Sequence, residues 1–498
     1  VQGALEVLGT ASWHGYRLAA IHVPQALLAP IEAGDCVVRL QLEPTSDIAA
    51  ILQRPNPRMQ LVRQQRVTEL VANPMDAGRF APALPQVSRK TSVPSGFQPT
   101  AYPDLDGSPV EYLIITNTEM ASAFQDLADW KTRRGVPTVV RDLDFIVANT
   151  RAGSDQAETI RNFIRDAYQR WGIRWVLLGG DTEILQARHV VSTFITPAVE
   201  VPTDLYFAGL DGNWNANGND IFGEAATGGS ELGDQADLFP EVQVSRAPVT
   251  TLAEAQGFVQ KTIGYETPQS ATYQDSVLLL AEVLSPSDYD TTQVIVLDGA
   301  ALTEQLRTNV LPGALQYERL YETSSSFPGS MPLSKSASLA AIEQGPHIVN
   351  HMGHGFRFNM SVADASIINP EALALQNGER SFLLFLLNCT ALAYDGNSLG
   401  EQFLLAPAGG AIGVVGSSRE AFPSSSIFYN EAFYDAVFAD GRVHLGEAVV
   451  ESRLPRTIFT FFESQDRWTH FILNVLGDPE LMLFTEAPSV PVVTHTDT

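Results

Sequence analysis

Cysteine is nearly missing: the 498 residues contain two, Cys36 and Cys389. Two cysteines that far apart exclude a disulfide framework and a cysteine-rich zinc site. Basic residues are short as well, with 31 Lys and Arg against 57 Asp and Glu, a formal charge of −26. Phosphate contacts need Lys and Arg in excess, so no nucleic-acid partner is expected, and anionic membrane surfaces are disfavoured. No apolar run reaches the about 18 residues that a membrane-spanning helix needs. There is no internal repeat of about 20–50 residues. A Gly-x-Ser-x-Gly elbow between a strand and a helix is also lacking, which counts against a serine hydrolase.

What remains is an ordinary globular composition, 45% hydrophobic and 18% charged, in a chain long enough for two or more domains. β-type runs at 16–23 and 36–43 predict a smaller β-rich N-terminal domain over 1–72. Prolines at 74, 82, 85, 94, 99, 103 and 109 mark 73–110 as a linker, because proline neither donates to ladders nor continues helices. From 111 to 486 buried-strand runs alternate with helical spacing, in two halves of about 111–265 and 266–486. That succession predicts an α/β fold with a mostly parallel sheet flanked by helices. Residues 487–498, with two prolines and no helical pattern, are expected to be a C-terminal linker.

Two apolar runs stand out at 345–400: one ends in Gly353-His354-Gly355, the other in Asn388-Cys389. Short continuous apolar runs suit fully buried strands, and function in open α/β sheets lies beyond their carboxyl ends. An imidazole and a thiol would then share one sheet edge, as a cysteine nucleophile and its base require. Thr390-Ala391-Leu392-Ala393 looks like a helix start, which would lower the thiol pKa. The amides of Gly355 and Cys389 are candidate oxyanion donors.

The order of His-Gly and then Cys after apolar runs resembles caspase-like cysteine peptidases. In detail the chain is similar to the gingipain family over segments 201–214, 237–249, 353–355, 388–389 and 474–480. The resemblance implies a caspase-like sheet and a secreted or surface-attached bacterial endopeptidase acting on protein or peptide substrates. It makes His354 the general base and acid, Cys389 the nucleophile and Glu282 the carboxylate that orients the imidazole, as the third member of a triad does. Specificity for Arg or Lys before the cut bond would need an acidic pocket wall, for which Asp290, Asp298 and Glu420 are candidates. The N-terminal domain would be an intramolecular propeptide or a fixed accessory domain.

Residues 211–220 place oxygen-bearing side chains at alternate positions, as calcium loops do. Ala216 and Phe222 break the EF-hand rule, so the expectation is a structural, non-EF Ca2+ site drawn from Asp211, Asn213, Asn215, Asn217, Asp220 and Glu224. An Asn/Gly-rich turn that needs no ion is the alternative. Two other readings compete for the whole chain. One is a non-catalytic, calcium-ordered surface-binding module on the same fold. The other is a metal hydrolase built on His347, His351 and His354, weakly supported because the Glu of His-Glu-x-x-His is missing.

Overall fold

The computed structural model describes residues 6–24, 59–81, 110–225, 233–267 and 273–486. The expected run at 36–43, Cys36, most of the proline-rich linker and 487–498 lie outside the described residues. In the first half the strands are β3 (Tyr112–Thr116), β4 (Thr138–Asp142), β5 (Trp175–Gly179) and β6 (Gln243–Ala247). They follow β1 (Glu6–Trp13) and β2 (Tyr16–His22). The second half supplies β7 (Ser276–Ala281), β8 (Gln316–Tyr321), β9 (Met331–Pro332), β10 (Ile348–Met352), β11 (Phe382–Leu387), β12 (Ala411–Ser417) and β13 (Leu473–Gly477). All but the first two join one 11-stranded sheet in the order β9-β8-β7-β10-β11-β12-β13-β6-β5-β3-β4.

The sheet is parallel within each half. β13 joins the halves: it runs antiparallel to β12 and pairs with β6 at Leu476 and Arg246. Tyr112, at the start of β3, donates its hydroxyl to Asp478 just past β13 at 2.7 Å. The strands of the first half therefore begin where β13 ends, which is also where β12 begins. Both halves point their carboxyl ends to one edge of the sheet.

Helices cover both faces for reasons visible in their residues. α3 (Gln156–Arg170), which follows α1 (Gln60–Leu70) and α2 (Ala121–Arg133) in the chain, is the clearest of the three. Asp155 caps it by accepting from Glu158 N–H, and Ile160, Phe163, Ile164, Ala167 and Tyr168 are buried along one stripe. α4 (Leu252–Tyr265) starts on a Thr251/Glu254 capping box. α5 (Gly299–Asn309), α6 (Lys335–Glu343), α7 (Pro423–Phe438) and α8 (Leu445–Thr457) cover the second half. No helix among the described residues is long and apolar enough to cross a membrane.

The halves are also joined by charge. Lys131 on α2 is completely buried, with its Nζ 2.6 Å from Glu266, 2.6 Å from Asp478 and 2.5 Å from Glu480. Burial alone would lower its pKa, but Asp478, Glu480 and Glu266 outweigh it and hold the ammonium above its ordinary value. Arg246 of β6, also buried, pairs with Asp204 at 2.7 Å, and Asp204 N–H donates to Asn474 of β13.

Of the expected N-terminal domain, only 6–24 and 59–72 are among the described residues. They form the β1–β2 hairpin and the helix α1, seated on the body. Trp13 Nε1 donates to Pro240 O at 2.9 Å, Ser12 N–H to Asp237 at 2.6 Å, and Arg66 pairs with Glu451. The α1 helix escaped sequence reading because its apolar positions are few: Val67 is buried in it beside the polar Gln60 and Arg63.

Candidate active site

β10 ends at Met352 and β11 at Leu387, and these strands are neighbours in register. The residues that follow, His354 and Cys389, line one cavity of about 210 Å3 at the carboxyl edge. None of the described N-terminal residues lines it.

The loop carrying His354 is held from below by Glu282, just past β7. One oxygen of its buried carboxylate accepts His354 N–H at 2.8 Å, and the other accepts Ala363 N–H at 2.8 Å. The approach is close enough to require glycine at 353, where a Cβ would lie 2.4 Å from Glu282 Oε2. Glu282 thus holds the backbone under the imidazole, which corrects the expectation that it bonds the ring. The ring partner is the Val283 carbonyl, 3.0 Å from Nε2. A carbonyl can only accept, so Nε2 donates to it, and in the neutral ring the lone pair is then on Nδ1.

Cys389 departs from expectation in another way. No helix starts there: Thr390 has φ +56°, its N–H donates to Arg419 O at 3.0 Å, and the next helix begins at Leu399. The chain after the thiol is bent back along β12, where Leu392 N–H meets Ser417 O at 3.1 Å. Without a helix terminus, burial pushes the thiol pKa up, and the charge of Glu420 adds to it.

The candidate oxyanion donors are free. Ser361 N–H donates to His354 O, so Gly355 and Met360 form a non-hydrogen-bonded pair and the Gly355 N–H points out of its ladder. Cys389 N–H has no protein partner among the described residues. Asn388 lies beside both loops: its amide is 3.4 Å from His351 Nδ1, and a Cβ at Gly355 would come within 2.6 Å of it.

The proposed acidic walls are placed apart. Asp298 caps α5 through Ala300 N–H at 2.9 Å and accepts from Thr323 at 2.9 Å, so both its oxygens are engaged. Asp290 is exposed and accepts from Thr292 within its own loop. Glu420 is exposed beside Cys389. Its neighbour Arg419 pairs instead with Asp395 at 2.6 Å.

The three histidines do not converge on a metal. His347 Nε2 bonds Tyr265 Oη at 2.8 Å, and burial pushes its pKa down to about 4. His351 Nε2 bonds Ser361 O at 2.8 Å. Among the described residues the one grouping of His, Cys or carboxylate ligand atoms is Glu266, Asp478 and Glu480, and Lys131 sits among them.

The 211–224 loop is a hydrogen-bonded turn. Asp211 is buried at its root; Asn213 accepts from Asn215 N–H, and Asn215 bonds Asp220 at 3.0 Å. The Asn217 and Asn219 amides both meet Glu224 Oε2, at 2.9 and 2.7 Å. The oxygens of those two amides are engaged within the turn, Asn217 Oδ1 by Asn219 N–H at 3.1 Å and Asn219 Oδ1 by Ile221 N–H at 2.8 Å, so a cation at Glu224 would have to displace bonds the loop makes to itself.

Comparisons with known proteins agree with this geometry. A structure described as a protease matches with 16% identity and a TM-score of 0.59, over 79% of this chain and 84% of that one. The Arg-specific cysteine proteinase gingipain R (RgpB) matches with 17% identity and a TM-score of 0.57, over 79% and 82%. The complex of Porphyromonas gingivalis RgpB pro- and mature domains gives 17% and 0.57, over 76% and 81%. At these identities the likeness is one of fold. A search of curated protein sequences returns no match. The family model described as peptidase family C25 matches residues 106–484, most of the chain and both arms of the cavity, and the chain belongs to that family, the gingipain cysteine endopeptidases.

Proposed function

We propose that Cys389 is the nucleophile of this endopeptidase and His354 its base and acid. The observation that carries the reading is their placement on adjacent strand ends around one cavity, with two N–H groups unpaired among the described residues, that of Cys389 itself and that of Gly355 next to His354 and Asn388. His354 Nδ1 takes the Sγ proton while Sγ bonds the scissile carbonyl carbon, and the two N–H groups receive the oxyanion. The C–N bond then breaks as the imidazolium returns its proton to the leaving amine. Water, deprotonated by the same nitrogen, splits the thioester and restores the thiol. In this scheme Glu282 is a positioning residue, fixing the loop from which the imidazole reaches the cleft.

Because the resting thiol is held above its ordinary value, proton transfer accompanies attack. Alkylation of Cys389 by iodoacetamide, followed by peptide mass analysis, is expected to be slow at neutral pH and still rising at pH 9. A rate plateau below pH 7 would reveal a standing thiolate and remove the base role from His354.

The calcium reading of the 211–224 loop is proposed on its spacing and on the convergence of Asn217, Asn219 and Glu224. Millimolar calcium is expected to raise Tm by a few degrees, as binding to the folded state alone requires, and Glu224→Gln is expected to remove the rise. An unchanged wild-type Tm would leave the loop as a turn.

A further inference from the structure

The cavity beside the thiol has a chemical character that differs from the one the family resemblance implies. Its walls come from five separate places: Leu284 after β7, Leu302 on α5, Met352 at the end of β10, Leu387 at the end of β11 and Ile427 on α7. No carboxylate lines it. The nearest buried acid, Glu282, has one oxygen on His354 N–H and the other on Ala363 N–H. Asp298 is likewise spent, on a helix cap and a threonine. Glu420, whose charge is felt at the thiol, is exposed and outside the cavity's lining, so it offers no buried counter-charge within the wall. Besides His354 and Cys389 themselves, the polar side chains in the wall are the neutral Asn388 and Ser426, with Asn388 Oδ1 and Ser426 Oγ unpartnered among the described residues.

A guanidinium or ammonium placed here would lose its water and gain no counter-charge, a loss that neutral acceptors do not make good. An apolar side chain would meet the opposite balance, covering leucine, methionine and isoleucine surface that is otherwise wet. The volume of about 210 Å3 corresponds to about seven water molecules at ~30 Å3 each. That is room for a leucine, methionine or phenylalanine side chain.

We propose that this cavity receives the side chain preceding the cleaved bond, and that the enzyme cuts after uncharged apolar residues. The proposal rests on Cys389 being the nucleophile and adds the substrate class. The residues that set it are Leu302, Met352 and Ile427, none of which takes part in the covalent steps.

Two matched series of peptidyl fluorogenic substrates, differing only in Leu, Met, Phe, Arg or Lys before the cut bond, provide the test. With the full chain, kcat/KM is expected to favour the apolar members over Arg and Lys by about tenfold or more. Ile427 is half-buried on the wall, and Ile427→Asp is expected to lower the Leu/Arg ratio about tenfold by supplying the missing charge. If that variant fails to fold, peptide aldehydes ending in leucinal and argininal report the same preference as inhibition of the wild type. Cleavage after Arg or Lys that Cys389→Ala abolishes overturns the apolar assignment and leaves the peptidase intact. Hydrolysis of neither series by a Cys389-dependent route overturns the catalytic reading, and the pocket assignment with it.

Discussion

Replacing Cys389 by alanine is expected to lower kcat/KM on peptides by about 10⁴-fold or more, because a covalent route loses its nucleophile and retains only binding and oxyanion stabilisation. The same substitution is expected to leave Tm within about 2 °C of wild type. Cys389 is half-buried in an open cleft, and its recorded side-chain contact is a weak one, Sγ to Ala421 O at 3.8 Å. Removing a small side chain there leaves space that water already reaches, so the cavity penalty of a sealed core does not apply. His354→Ala should fall with Cys389→Ala in the same assay, and the double variant should lose little more, since residues acting as a unit are non-additive. Glu282→Gln should fall less, by about 10²-fold, because an amide supplies one acceptor for two backbone N–H groups. Wild-type rates in Cys389→Ala would sink the mechanism outright.

The second large effect is on stability. Lys131→Met removes the buried ammonium that Glu266, Asp478 and Glu480 share; Glu266 keeps Arg134 at 2.6 Å, while Asp478 and Glu480 lose their Lys131 partner. Breaking a buried charge network by deleting one partner costs about 3–5 kcal/mol, mostly for the charges left behind. For a domain of this size that is a fall in Tm on the order of 4–6 °C. The pH dependence follows from Glu480, whose pKa burial already raises in the intact protein. A carboxyl whose folded pKa lies above its unfolded value binds protons more readily in the folded state. Its penalty grows as pH rises above the unfolded value and is relieved as pH falls. The variant should therefore recover part of its loss at pH 5 relative to pH 8. A Tm equal to wild type at pH 8, or a loss that deepens on acidification, would show that Lys131 does not neutralise these acids.

The central strands were legible because they are buried on both faces. Phe382–Leu387 and Ile348–Met352 are apolar or tightly packed throughout, and such strands read as short continuous runs in any order of the chain. Those runs alone put His354 and Cys389 at one edge of the sheet. The helix expected at Thr390 failed because a local start signal met a stronger tertiary demand: Thr390 and Leu392 give their N–H groups to carbonyls near the end of β12. Glu282 was found, but its bonding was not, since one of its donors, Ala363, lies 81 positions away in another loop. Lys131 falls on the apolar line of α2 and nothing local marks it as buried; its partners lie 135 to 349 residues further on. The apolar cavity had the least local signature of all. Leu284, Leu302, Met352, Leu387 and Ile427 are ordinary hydrophobes until five separate pieces of chain bring them together.

The position of β13 has a consequence for how the protein is made. Leu473–Gly477 belongs to the last strand of the sheet to leave the ribosome, yet it sits in the middle, between β12 and β6. A nascent chain already contains the histidine and the thiol more than eighty residues earlier, but β12 and β6 have no strand between them until that one arrives. Closure of the sheet across its middle thus waits on a strand made after every residue that lines the cleft.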